Sequence, residues 1–141
     1  MKKLITLSLM AMMFVATMCV SSCSTSKSIT KAFEKNGYVM AEVSPAQQIQ
    51  VCPVMAKFPS FGQTAAGYLQ AGNSCTFIYN IDESTWNAYA QQLVANGFSQ
   101  IGTGFVKADK SAGLTYNVSA KATEVYKQNF MIVTFTSGNF Y

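Results

Sequence analysis

The chain reads as an α+β domain: an antiparallel sheet with one main helix packed on one face, its later part running strand, helix, strand, strand, strand. Three observations carry that expectation. From Thr76 to Ile81, Phe77, Tyr79 and Ile81 alternate with Ile78 and Asn80 in the two-residue period of a strand. Directly afterwards Trp86, Tyr89, Ala90, Leu93 and Val94 fall at helical spacing and make one apolar stripe. Three further apolar stretches follow with short, turn-rich connections, which suits antiparallel pairing.

Taken in order, Ser24 to Lys27 is a small polar tether, and Ser28 can cap a short helix with Ile29, Ala32 and Phe33 on one face. Asn36-Gly37 is its stop. Tyr38 to Val43 reads as a strand ended by Ser44-Pro45. From there to Asn73, Pro45, Pro53, Pro59, Gly62, Gly67 and Gly72 stand among Ala and Gln, which predicts irregular structure with short fragments, a place for a binding loop. After the Thr76 to Ile81 strand, Asp82 or Ser84 caps the main helix, Asp82 and Glu83 complement the positive end of its dipole, and Asn96-Gly97 ends it. Gly102-x-Gly104 reads as a bend or bulge before a strand at Phe105 to Ala108. Asp109 to Gly113 is a turn, and Leu114, Tyr116, Val118 and Ala120 then alternate with polar residues. The last strand, Phe130 to Thr136, is apolar on both faces and belongs inside the sheet.

Composition narrows the chemistry. Only 11% of the residues are charged, and the formal charge is +4, of which Lys2 and Lys3 contribute two. The chain has no Arg and no His. It therefore lacks the planar fork that grips phosphate, and nucleic acid is not an expected partner. It also lacks the imidazole of a His-based triad, metal site or pH switch. Glu34, Glu42, Asp82, Glu83, Asp109 and Glu124 are scattered and show no calcium-loop spacing, so neither a metal nor a cofactor is expected.

Lys2 and Lys3 followed by an uncharged run from Leu4 to Val20 have the layout of a secretory signal, with Val20-Ser21-Ser22-Cys23 as its small-residue exit. This resembles the lipobox of bacterial lipoproteins. The resemblance implies cleavage before Cys23, a diacylglyceryl thioether and an N-acyl chain on that residue, and hence a membrane partner through lipid. Cys19 competes for the role, but Met18 precedes it where a small residue is called for. An uncleaved transmembrane helix is the alternative, the apolar run being at the lower end of a bilayer span. The expected organisation is residues 1–22 as signal, 23–36 as lipid-anchored tether and short helix, and 37–141 as a single domain. Ser24 rather than Asp after the anchor points to the outer membrane, and the lack of an acidic cluster there points to its periplasmic side. Separately, Trp86-x2-Tyr89-x3-Leu93-x3-Gly97-Phe98 resembles a pattern in small secreted domains of unknown function from bacterial lipoproteins. That likeness implies a fold, with a strand before this helix and a β-meander after it, and no catalytic residue.

With Cys23 lipidated and Cys19 removed, Cys52 and Cys75 remain as a pair in a compartment that permits oxidation, and a disulfide is expected. Two unpaired, buried small apolar residues are the alternative. Most aromatics fall on core faces, whereas Phe58, Phe61 and Tyr68 lie in the irregular segment, where a ring could stack on a sugar or a partner. The resulting expectation is a non-enzymatic envelope module that binds a protein, glycan or cell-wall component. A small hydrolase or thiol enzyme using Ser or Cys is the competing reading, to be recognised by a Lys or carboxylate within about 3 Å of the nucleophile in a concave pocket. A purely structural spacer is the third.

Overall fold

The computed structural model describes residues 20–139, with side chains from Lys27 onward. Of residues 1–22, expected to be a signal, those up to Cys19, with Lys2 and Lys3, lie outside the described residues, as does the side chain of Cys23. The described chain divides into two units, with the boundary after Phe33. Helix α1, Val20–Lys35, ends as its sequence requires: Gly37 takes φ +94° and its N–H donates to the Glu34 carbonyl at 3.0 Å. Its start differs from expectation. Ser28 is inside the helix rather than at its cap, and the stretch read as a tether is helical. No Gly or Pro stands between Val20 and Lys35, so nothing stops propagation once a turn has formed. Ile29 and Phe33, one turn apart, are buried. Among the described residues no helix is long and apolar enough to cross a membrane.

In the second unit, the expected strand from Tyr38 to Val43 is reduced to two isolated antiparallel bridges, Val39 with Tyr68 and Val43 with Ala65. The first members are four positions apart and the second three, so the extra residue breaks the ladder as a bulge does. The Pro-rich stretch after it is more regular than its composition suggests. Ser44 caps helix α2, Pro45–Val51, in a capping box: the Gln47 N–H donates to Ser44 Oγ at 3.3 Å and the Ser44 N–H to Gln47 Oε1 at 2.9 Å. Pro45 occupies the first turn, where its missing N–H costs nothing. Pro53 then opens a 3-10 helix, Pro53–Lys57.

The sheet has six strands, all antiparallel: β1 Gly67–Ala71, β2 Ser74–Tyr79, β3 Ser99–Ile101, β4 Gly104–Asp109, β5 Leu114–Val125 and β6 Gln128–Asn139. Their spatial order is β1-β2-β6-β5-β4-β3, which puts β6 inside the sheet. The chain is thus mixed α+β. Helix α3, Glu83–Ala95, follows β2, and four strands rather than three come after it. The additional one is β3, closed onto β4 by a two-residue turn at Gly102-Thr103 with Gly102 at φ +63°. The glycine pair read as a bend or bulge is therefore a hairpin turn. Gly67 marks a close approach: a Cβ there would sit 2.6 Å from Met40 Sδ and 2.9 Å from the Val39 carbonyl oxygen.

One face of the sheet carries the core. Phe77 and Tyr79 from β2, Tyr116 and Val118 from β5, and Met131, Val133 and Phe135 from β6 share that face. Trp86, Tyr89 and Leu93 of α3 cover it together with Met55 and Phe58 from the segment after α2. Two structures therefore lie side by side over one sheet face: a regular helix, and an irregular segment that supplies its own aromatic residues. The seam between them is where a site can form.

Candidate functional site

The irregular segment is held in place by specific ties. Cys52 and Cys75, both buried, are joined by a disulfide with their Cα atoms 6.0 Å apart, pinning the start of the 3-10 helix to β2. Seven residues on, the Tyr89 hydroxyl of α3 donates to the Pro59 carbonyl at 2.7 Å. Gln48 of α2 makes the third tie. It is 1% exposed, and its Nε2 donates to the carbonyls of Val43 (2.9 Å) and Gln63 (2.6 Å) while its Oε1 accepts from the Tyr79 hydroxyl at 2.7 Å. Both amide protons and the amide oxygen are thus engaged, as a buried amide requires. Burial pushes the Tyr79 phenol far above the ordinary phenol range, reinforced by nearby Tyr89, and burial does the same to Tyr89. Both phenols stay neutral and act as fixed donors.

Between this pinned wall and α3 opens a cleft of about 370 Å³. Phe61 and Gln63 line it from the loop; Ser84, Thr85, Ala88, Tyr89 and Gln92 line it from the helix. Phe61 is half-buried, its ring 4.4 Å from Tyr89, 4.8 Å from Tyr79 and 6.1 Å from Trp86, centroid to centroid. The side-chain amides of Gln63 and Gln92 make no hydrogen bond among the described residues. The hydroxyls behave differently. Ser84 Oγ and Thr85 Oγ1 both donate to Asp82 Oδ1, at 2.9 and 2.8 Å, as part of the α3 cap in which the Thr85 N–H also donates to that oxygen. Their protons are committed, so toward the cleft they offer lone pairs.

Of the three aromatics singled out in the sequence, only Phe61 lines this cleft. Phe58 is 6% exposed and packs in the core, stacked on Phe98 at 5.3 Å and edge-on to Phe135 at 5.1 Å. Tyr68 sits on β1 facing Phe77, with a ring-centroid distance of 6.4 Å. Composition treats the three rings alike; the inward turn at Phe58 and the strand at Tyr68 separate them. Sequence reading missed Gln63 and Gln92, which carry no local signature of a site, and Gln48, whose only local clue is its place in the capped helix.

A larger groove of about 650 Å³ lies on the opposite sheet face, lined by Thr76, Thr134, Ser119, Lys121 and Ile132 among others. It is a pleated strand surface, and the Thr76 and Thr134 hydroxyls bond each other at 3.0 Å. The smaller cleft combines an aromatic ring and the Gln63 amide on a fixed wall with the Gln92 amide on α3, which is the chemistry of recognition. Among the described residues no group of His, Cys, Asp and Glu is placed to hold a metal ion. Compared with family models, with curated proteins and with solved structures, the chain matches none.

Proposed function

We propose that the chain is a cell-envelope lipoprotein, anchored through lipid on Cys23 at the outer membrane and facing the periplasm, whose second unit is a non-enzymatic binding module. The lipobox-like Val20-Ser21-Ser22-Cys23 supports the anchor, and the Cys52–Cys75 disulfide is in keeping with an oxidising compartment. The likeness of Trp86 to Phe98 to secreted lipoprotein domains, and the order of a strand, that helix and then a meander, support the same assignment. The observation that carries the binding role is the cleft itself: a half-buried aromatic and the Gln63 amide on a wall fixed by Gln48, Tyr89 and the disulfide, with the Gln92 amide on α3 across from them. Such a wall is ordered before a ligand arrives, so binding loses little entropy in arranging it.

Two measurements test this. Wild-type protein incorporates labelled fatty acid and sediments with outer membrane, and Cys23→Ala does neither; labelling that survives Cys23→Ala but disappears in Cys19→Ala refutes the anchor. For the module, envelope components captured by the wild type are retained more weakly by Gln92→Ala; capture that no cleft substitution alters removes the cleft from the function.

One observation favours the hydrolase reading as runner-up: Ser84 lines the cleft with its Oγ 2.9 Å from a carboxylate. That carboxylate is a poor base. The Thr85 backbone N–H, then the Thr85 and Ser84 hydroxyls, hold Asp82 below the ordinary carboxylate range, which favours its charged, unprotonated form over proton uptake. Ester hydrolysis by the protein that Ser84→Ala abolishes would establish the enzyme reading in its place.

A further inference from the structure

We propose that the cleft between Phe61 and α3 takes a neutral, hydroxyl-rich ligand, a saccharide. The inference rests on the binding-module reading and names the ligand class of that site. Charge comes first. None of the seven lining residues is a Lys, Asp or Glu, and the Asp82 carboxylate stands just behind Ser84 and Thr85. An anionic ligand would meet that carboxylate with no cation to offset it, and a cationic ligand would find no lining carboxylate with which to pair.

Hydrogen-bonding capacity comes second. Ser84 and Thr85 have their protons committed to Asp82 and can only accept, while Gln63 and Gln92 each offer two donors and an acceptor. A ligand matching that set must donate to the hydroxyls and both donate to and accept from the amides. Hydroxyl groups do both at one atom, and a ring bearing several presents them at close spacing. An apolar ligand would leave two amides and two hydroxyl oxygens without partners, which is unfavourable for the complex.

The aromatic supplies the remaining surface. Phe61 is braced by Tyr79, Trp86 and Tyr89, so its ring is positioned without the ligand. A pyranose has an apolar C–H face as well as a hydroxyl edge, and a ring beside amides meets both. The cleft's size, about 370 Å³, is at the lower end of the roughly 300–1,000 Å³ usual for small-molecule sites, which suits one or a few sugar units.

The test uses the full-length protein in a detergent without a sugar headgroup. Saturation-transfer NMR and calorimetry are run against three neutral trisaccharides (chitotriose, maltotriose and cellotriose), the charged trisaccharide trigalacturonate, and trialanine. At least one neutral trisaccharide binds, and both Phe61→Ala and Gln92→Ala weaken it tenfold or more. Thr134→Ala, in the groove on the other sheet face, leaves binding within twofold. Gln92 is an exposed helical position where Ala preserves the fold, so the result does not depend on Phe61→Ala folding. Trigalacturonate binds at least tenfold more weakly than the best neutral sugar. Cleft-dependent binding of trigalacturonate or trialanine in preference overturns the ligand class and leaves the binding module standing. Neutral sugars that bind equally well to both cleft variants overturn the site. Failure of every probe overturns the saccharide assignment, while capture from the envelope judges the module separately.

Discussion

Gln48 ties together distant parts of this fold through one buried amide. Its amide joins α2, the bridge at Val43, the cleft wall at Gln63 and the end of β2 at Tyr79, across separations of up to 31 residues. Val43 has a second source of satisfaction, since its carbonyl also accepts from the Ala65 N–H at 2.9 Å. Among the described residues the Tyr79 hydroxyl and the Gln63 carbonyl have Gln48 alone as a hydrogen-bond partner. Tyr79→Phe removes the donor to Gln48 Oε1 and strands a buried acceptor. Unfolding in urea should show a loss of about 1–3 kcal/mol, whereas a loss near zero would mean that water or a rearranged Gln48 satisfies that oxygen. Nothing in the sequence marks Gln48 apart from Gln47 and Gln50 beside it. A buried amide is recognisable only from its partners, and these lie far along the chain.

At the scale of elements, α3 was readable because each of its determinants is local: Asp82 at the cap, Trp86, Tyr89 and Leu93 at helical spacing, and Gly97 at φ +93° as the stop. Helix α2 was hidden because Ser44-Pro45 also serves as a strand terminator; Gln47, three residues after Ser44, was the overlooked signal of a capping box. Strand β3 was hidden for another reason, as three residues are too few to show a period. The β5–β6 hairpin shows an element that departs from its best local sequence. Its strands close at Val125 and Gln128 over a two-residue turn in which Tyr126 and Lys127 both take left-handed φ, +49° and +63°. Such turns favour Asn-Gly, because other residues strain their Cβ in that conformation. Tyr126 is 62% exposed and contributes little packing. Tyr126→Asn with Lys127→Gly should therefore raise the unfolding free energy by about 1–2 kcal/mol, seen as a higher urea midpoint at unchanged slope. A lower midpoint would show that the Tyr126 ring makes a contact worth more than the strain.

For the whole molecule, the decisive feature is that one sheet face is covered partly by a helix and partly by a segment with little regular structure. The disulfide closes a loop spanning 23 positions around much of that segment, which in the chain-entropy model stabilises the fold by about 3 kcal/mol. Reduction, or Cys52→Ser with Cys75→Ser, should lower stability by about that amount and raise amide exchange first between residues 53 and 66. Exchange that rises equally in β5 and β6 would mean that the bridge supports the sheet as a whole. Val94, read as part of the α3 stripe, is instead 55% exposed, since it follows Leu93 about 100° round the helix. The sequence by itself determined the mixed α+β class, the position of α3 with Trp86, Tyr89 and Leu93 inward, and the interior place of β6, and it favoured the pairing of Cys52 with Cys75 over two unpaired thiols. These rest on periodicity, caps and the arithmetic of a few cysteines, all of which act over short range or by elimination. Only the tertiary structure decided that Phe61 faces a cleft while Phe58 enters the core, and that Gln63 comes to lie opposite Gln92. Those placements depend on the approach of two segments about 20–30 residues apart, set by buried hydrogen bonds and aromatic packing that no local pattern encodes.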